Sequence, residues 1–150
     1  MISGIRITTV LALAGMTACD TSDGPADANL LESPGQPRVV FLTLNEAPNA
    51  VMEALLDAPI VRDEAGCLRH ATEDYTLIWP VGYTLVREPN ALVVRDADGD
   101  TVGRIGERFT LGGGVLLFLH DGLTMTAEAR ALAASECPGQ YWLVGTPVRQ

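Results

Sequence analysis

Residues 66–114 read GCLRHATEDYTLIWPVGYTLVREPNALVVRDADGDTVGRIGERFTLGGG. Short apolar runs are cut by Gly, Pro, Asn and Asp at intervals of about ten residues, the pattern of a small all-β unit built from hairpins. YTLIW at 75–79 is the strongest strand, closed by Pro80 and Gly82. Residues 83–87 continue extended until Glu88-Pro89-Asn90 turns the chain. Residues 91–95 and 101–105 flank Asp96-Ala97-Asp98-Gly99-Asp100, and two β-type runs around an Asp-Gly tip predict a hairpin. A short strand at 109–111 is expected to end where Gly112-Gly113-Gly114 lets the backbone bend.

On either side of this stretch the pattern continues. VVFLTL at 39–44 predicts a strand, and Pro48 marks the turn after it. Residues 50–56 fit either a helical turn capped by Asn49 or the start of a strand. Residues 59–62 read as extended, 63–66 as a turn and 67–70 as the next strand. Past the glycines, 115–119 is apolar again. TAEARALAA at 126–134 predicts a helix capped by Thr124 or Thr126, ended by Pro138-Gly139, with a last strand at 140–144. The expected fold is mainly β: about seven short strands in a small closed or partly open barrel, OB-like, with one short helix near the C-terminus. A β-sandwich is the alternative.

The N-terminus has a different character. MISGIRITTVLALAGMTA, residues 1–18, places one charge, Arg6, ahead of a short apolar run and then small residues. This is the pattern of a secretory signal, too short to span a bilayer, which takes roughly 20 apolar residues. The following Met16-Thr17-Ala18-Cys19 resembles the lipobox of bacterial lipoprotein precursors. That resemblance implies cleavage before Cys19 and acylation of its sulfur, with Met16 standing where Leu is commoner. Lipidation at Cys19 would make the membrane a partner, because several acyl chains on one residue hold where a single chain is marginal. An ordinary cleaved signal with an incidental cysteine is the other reading. Asp20 resembles an inner-membrane retention mark of enterobacterial lipoproteins. Residues 20–38, DTSDGPADANLLESPGQPR, have tether composition without periodicity. The expected organisation is therefore a signal over 1–18, a lipidated cysteine and disordered tether over 19–38, and a β domain over 39–150.

Charge narrows the partners. The formal net charge is −9 from 10 basic and 19 acidic residues, and all the basic ones are Arg. Such a surface repels phosphate backbones, so nucleic acid is not an expected partner. A hydrophobic fraction of 47% suffices for a core. No motif implies a cofactor.

With Cys19 assigned to lipid, Cys67 and Cys137 remain. Two thiols outside the cytoplasm are expected to pair. A loop of about 70 residues closed in this way gains roughly 4 kcal/mol in the simple entropy model. A reactive Cys67–His70 pair is the alternative, without an evident orienting partner. Asp96, Asp98, Asp100 and Glu107 resemble EF-hand positions one, three, five and twelve, but Thr101 replaces the loop glycine and strands flank it; an acidic hairpin tip in water is the competing reading. His120-Asp121 suggests half of a hydrolytic pair, with no G-x-S-x-G in the chain. Trp79, Tyr83 and Arg104 are candidates for one ligand-binding face. The competing expectation makes the aromatics core fillers and pairs Arg104 and Arg108 with the hairpin carboxylates.

Finally, Gly66-Cys67-Leu68, Ile78-Trp79-Pro80, Asp98-Gly99, Gly103-Arg104-Ile105-Gly106, Leu111-Gly112-Gly113-Gly114 and Cys137-Pro138-Gly139 resemble the pattern of an uncharacterised bacterial secreted domain covering about 51–144. The resemblance implies a framework role for these glycines and cysteines and no activity. The functional expectation is a non-enzymatic interaction module in the cell envelope, facing a protein or the cell wall. A barrel binding a small molecule or oligosaccharide is the runner-up, and a hydrolase a distant third.

Overall fold

The computed structural model describes residues 28–48, 52–119 and 123–147. Among them lie ten strands and one helix: β1 (Ala28–Ser33), β2 (Gln36–Thr43), β3 (Ala54–Arg62), β4 (Leu68–His70), β5 (Thr76–Trp79), β6 (Thr84–Glu88), β7 (Ala91–Arg95), β8 (Thr101–Arg104), β9 (Arg108–Leu116), α1 (Ala127–Glu136) and β10 (Tyr141–Pro147). The fold is mainly β with one short helix near the C-terminus, as expected, with more strands than the seven anticipated.

Seven strands form one sheet in the order β1-β2-β5-β10-β9-β3-β4, and a further pairing of β4 with β5 curls it into a ring. Within the ring, β9-β3-β4-β5 follows the Greek-key order in which a fourth strand returns beside the first. The ring pairings are antiparallel except for β10 on β5, which is parallel through Trp142↔Leu77. The closing β4–β5 contact is narrow, a single register pair, Arg69↔Thr76. β6, β7 and β8 form a separate antiparallel meander whose Leu85 and Val94 cover the ring's interior, giving the molecule a sandwich-like second layer.

Strand alternation sorts the apolar residues into two cores. Val39, Phe41, Leu56, Ile60, Leu77, Trp79, Phe109, Leu111 and Trp142 fill the ring and meet the small sheet. Trp79 lies at its centre, fully buried, stacked on Phe41 at 5.5 Å and met edge-on by Phe109 at 6.2 Å. The opposite face of the same strands carries Val40, Leu42, Ile78, Leu116, Tyr141 and Leu143 against the helix. Thr126 caps α1 by accepting from the backbone N–H of Ala129 at 3.1 Å. Ala129 and Ala133, one turn apart and fully buried, let the helix lie close to the sheet.

Two expectations are corrected here. The tether does not run to Arg38: β1 and β2 form a hairpin from Ala28↔Leu42 to Ser33↔Gln36. Pro34-Gly35 turns it, with Gly35 in the left-handed region at φ 77°, and Leu31 packs on the ring core, so the composition of this stretch concealed a turn signal. Nor do Gly112, Gly113 and Gly114 bend the chain away. They lie inside β9, where a Cβ on Gly113 would overlap the Leu143 carbonyl oxygen and the Trp142 indole nitrogen, and one on Gly114 would overlap Met52. Close approach, not a turn, is what these glycines serve. Residues 50 and 51 lie outside the described residues, and the ambiguous stretch resolves into β3 from Ala54 onward.

Candidate functional site

Cys67 and Cys137 are joined across 70 residues of chain, both fully buried. The bond ties the start of β4 to the C-cap of α1. Arg69 reinforces this corner. Its Nε meets the Asp63 carboxylate at 2.6 Å, Nη1 donates to the Asp74 carbonyl at 3.1 Å, and Nη2 donates to the Pro138 carbonyl at 3.1 Å. Burial pushes the Asp63 carboxyl up, but the bonds from Arg69 and from the Cys67 backbone N–H outweigh it and hold the acid below its ordinary value. With Cys67 in the disulfide, the Cys67–His70 pair is not a nucleophile and base.

His70 faces a different task. It sits at the end of β4, opposite Ile60 and 5% exposed, where the ring opens. The chain then turns through Asp74, which adopts φ 58°. That turn brings the backbone N–H of Glu73 to His70 Nδ1 at 2.9 Å. The imidazole proton must then reside on Nε2, which is buried and has no hydrogen-bond partner among the described residues. Burial lowers the His70 pKa, against a smaller upward pull from Glu73, so the ring stays neutral at pH 7.

A cavity of about 350 Å³ opens at this mouth. His70, Thr72 and Glu73 line it from β4 and its turn, Leu55 and Asp57 from β3, Val115 from β9 and Trp142 from β10, together with Tyr75. The rings form a row: Tyr75 stacks on Trp142 at 6.1 Å and tilts toward His70 at 6.5 Å. Asp57 is engaged, accepting from Arg108 Nη1 at 3.1 Å and Thr110 Oγ1 at 3.4 Å. The cavity combines two carboxylates, aromatic rings and apolar side chains, a mixture common in small-molecule sites.

The ligand face anticipated from Trp79, Tyr83 and Arg104 does not assemble. Trp79 is enclosed in the core, with Tyr83 stacked on it at 6.1 Å. Tyr83 lines a second, apolar cavity of about 310 Å³ with Met52, Pro80 and Val81. Arg104 lies on β8 and pairs with Glu88 at 3.4 Å, while Arg108 pairs with Asp57, so neither serves the hairpin tip. At that tip Asp96 Oδ1 accepts the backbone N–H groups of Asp98 (3.1 Å) and Asp100 (2.9 Å), the geometry of an Asx turn. Among the described residues no group of three or more His, Cys, Asp or Glu could hold a metal ion, so Asp96, Asp98, Asp100 and Glu107 do not form the EF-hand-like set. His120 and Asp121, like Cys19, lie outside the described residues. Among the described residues no helix is long and apolar enough to cross a membrane.

Searches for relatives find no matching family model, curated protein or solved structure.

Proposed function

We propose that this chain is a lipid-anchored protein of the bacterial cell envelope whose β domain is a non-enzymatic binding module. The observation that carries the reading is the buried Cys67–Cys137 disulfide, because such bonds persist in oxidising compartments outside the cytoplasm. It agrees with the signal-like residues 1–18 and the lipobox resemblance ending at Cys19. Exposed apolar side chains support contact with a partner: Leu117 and Phe118, just past β9, are 67% and 68% exposed, and Leu55 and Val115 are exposed at the mouth. That partner is an envelope protein or the cell wall.

Mass spectrometry of the processed protein tests the anchor. The expected N-terminal peptide begins at Cys19 and carries acyl mass. An unmodified peptide running through residues 1–25 would sink the reading.

The second reading, a barrel that binds a small molecule or oligosaccharide, is favoured by the mouth cavity, which combines aromatic, apolar and acidic side chains.

A further inference from the structure

We infer that the apolar cavity beyond Trp79 receives an acyl chain borne by the protein's own Cys19. This inference rests on the lipid-anchor reading above and adds an intramolecular site to it.

Register puts the cavity and the chain's entry at one end of the ring. Ala28, where β1 begins, pairs with Leu42, Leu42 with Ile78 and Ile78 with Leu143, so these four lie in one row across β1, β2, β5 and β10. β2, β5 and β10 run parallel, and the cavity of about 310 Å³ is lined from that row onward. Leu143 and Val144 contribute from β10, Pro80 and Val81 from just past β5, and Pro48 from past β2. Because β1 is antiparallel to β2, the chain enters β1 at this same end.

Reach decides whether Cys19 can serve the cavity. Nine residue steps separate Cys19 from Ala28, which span at most about 30 Å at ~3.3 Å each. Three strand spacings separate β1 from β10, about 14 Å at ~4.8 Å each. The connecting segment is therefore long enough to bring the modified residue to the cavity, and too short to carry it far from this end of the ring.

Chemistry decides what the cavity takes. No charged side chain lines it, although the chain carries 19 acidic and 10 basic residues. Leu143 and Val144 are buried, whereas Pro48 and Val81 are exposed, so the lining passes from interior to surface without meeting a charge. A sugar or a lipid headgroup placed here would leave most of its polar atoms without partners; a hydrocarbon chain has none to satisfy. The cavity at the mouth, with Asp57 and Glu73 in its lining, lacks this property. The volume falls within the roughly 300–1,000 Å³ of small-molecule sites.

Photocrosslinking tests this. The producing bacterium is fed a diazirine-bearing palmitate, and the processed full chain is purified, transferred to detergent-free buffer and irradiated. Peptide mass spectrometry should find the acyl group of Cys19 joined to the peptides of Met52, Pro80, Val81 or Tyr83, and a mixture of isotope-labelled and unlabelled protein should show that the link forms within one molecule. Val81→Asp, at the exposed rim, should lower the yield about tenfold while leaving the acyl mass on Cys19 and the urea midpoint unchanged. Three results would each overturn the proposal and leave the anchor reading intact: an acylated Cys19 whose links fall only on other surfaces or between molecules, a phospholipid adduct at these residues in place of the Cys19 link, or a yield unchanged in Val81→Asp. An unacylated Cys19 would overturn both.

Discussion

His70 Nδ1 accepts the backbone N–H of Glu73 at 2.9 Å, and this bond sets the tautomer of the imidazole at the barrel mouth. It leaves the proton on Nε2, while burial keeps the imidazole neutral.

Stability should therefore fall in mild acid. Burial holds the folded-state pKa of His70 below the 6.5 of the unfolded chain, so the unfolded state takes up its proton first as pH drops. The stabilisation is complete above that value and is lost as pH falls through 6.5 toward the folded-state pKa. Urea unfolding of the wild type between pH 7.5 and 5 should show this decline, and His70→Phe should flatten it. Identical slopes for the two proteins would remove His70 as the cause.

The disulfide should dominate resistance to denaturant. Cys67→Ser or Cys137→Ser is expected to cost roughly 2–5 kcal/mol in oxidising buffer, measured by chemical unfolding. With enough reductant to open the wild-type bond, mutant and wild type should converge. Equal stability under both conditions would contradict a structural role.

Arg69 joins three pieces of chain: the Asp63 turn before it, the Asp74 turn after it and, far along the sequence, Pro138. Arg69→Ala should destabilise the fold by about 1–3 kcal/mol at pH 7, because a half-buried carboxylate and two carbonyls lose their donor. The Asp63 acid is depressed in the fold, so its contribution is present above 3.8 and disappears as pH falls through the folded-state value. The penalty of the substitution should accordingly shrink toward pH 3.

Gly113 and Gly99 make a matched pair. Both have positive φ, at 149° and 85°, but a Cβ on Gly113 meets backbone and indole, while one on Gly99 meets nothing within 4 Å. Gly113→Ala should cost roughly 3 kcal/mol or more, and Gly99→Ala about 1 kcal/mol, as measured by thermal unfolding. A smaller loss at Gly113 than at Gly99 would contradict the close packing of β9 on β10.

The strands were legible where period and punctuation agreed. YTLIW before Pro80, the Asp-Gly hairpin and the capped alanine helix all stand where local residues place them. Local signals failed where the deciding partner is far along the chain. The Gly112–Gly114 run looks like a breaker until Trp142, Leu143 and Met52 are packed against it. The hairpin of β1 and β2 was hidden by tether-like composition, although Pro34-Gly35 marks its turn. The mouth was half legible: His70 and Glu73 stand three apart, but their shared cavity with Leu55, Val115 and Trp142 depends on ring closure. Trp79, as a large aromatic, reads from sequence as a ligand-face candidate, yet burial makes it the centre of the core.

The place of β10 between β5 and β9 has a consequence for how the chain reaches its final form. Two strands that precede it by dozens of residues have no direct pairing with each other, and only the strand from Tyr141 supplies the missing rung. Until that keystone has emerged from whatever conduit delivers the polypeptide, the cylinder stays unzipped, and such non-local pairings form slowly. A chain built this way closes its cylinder only once its last strand is available to pair.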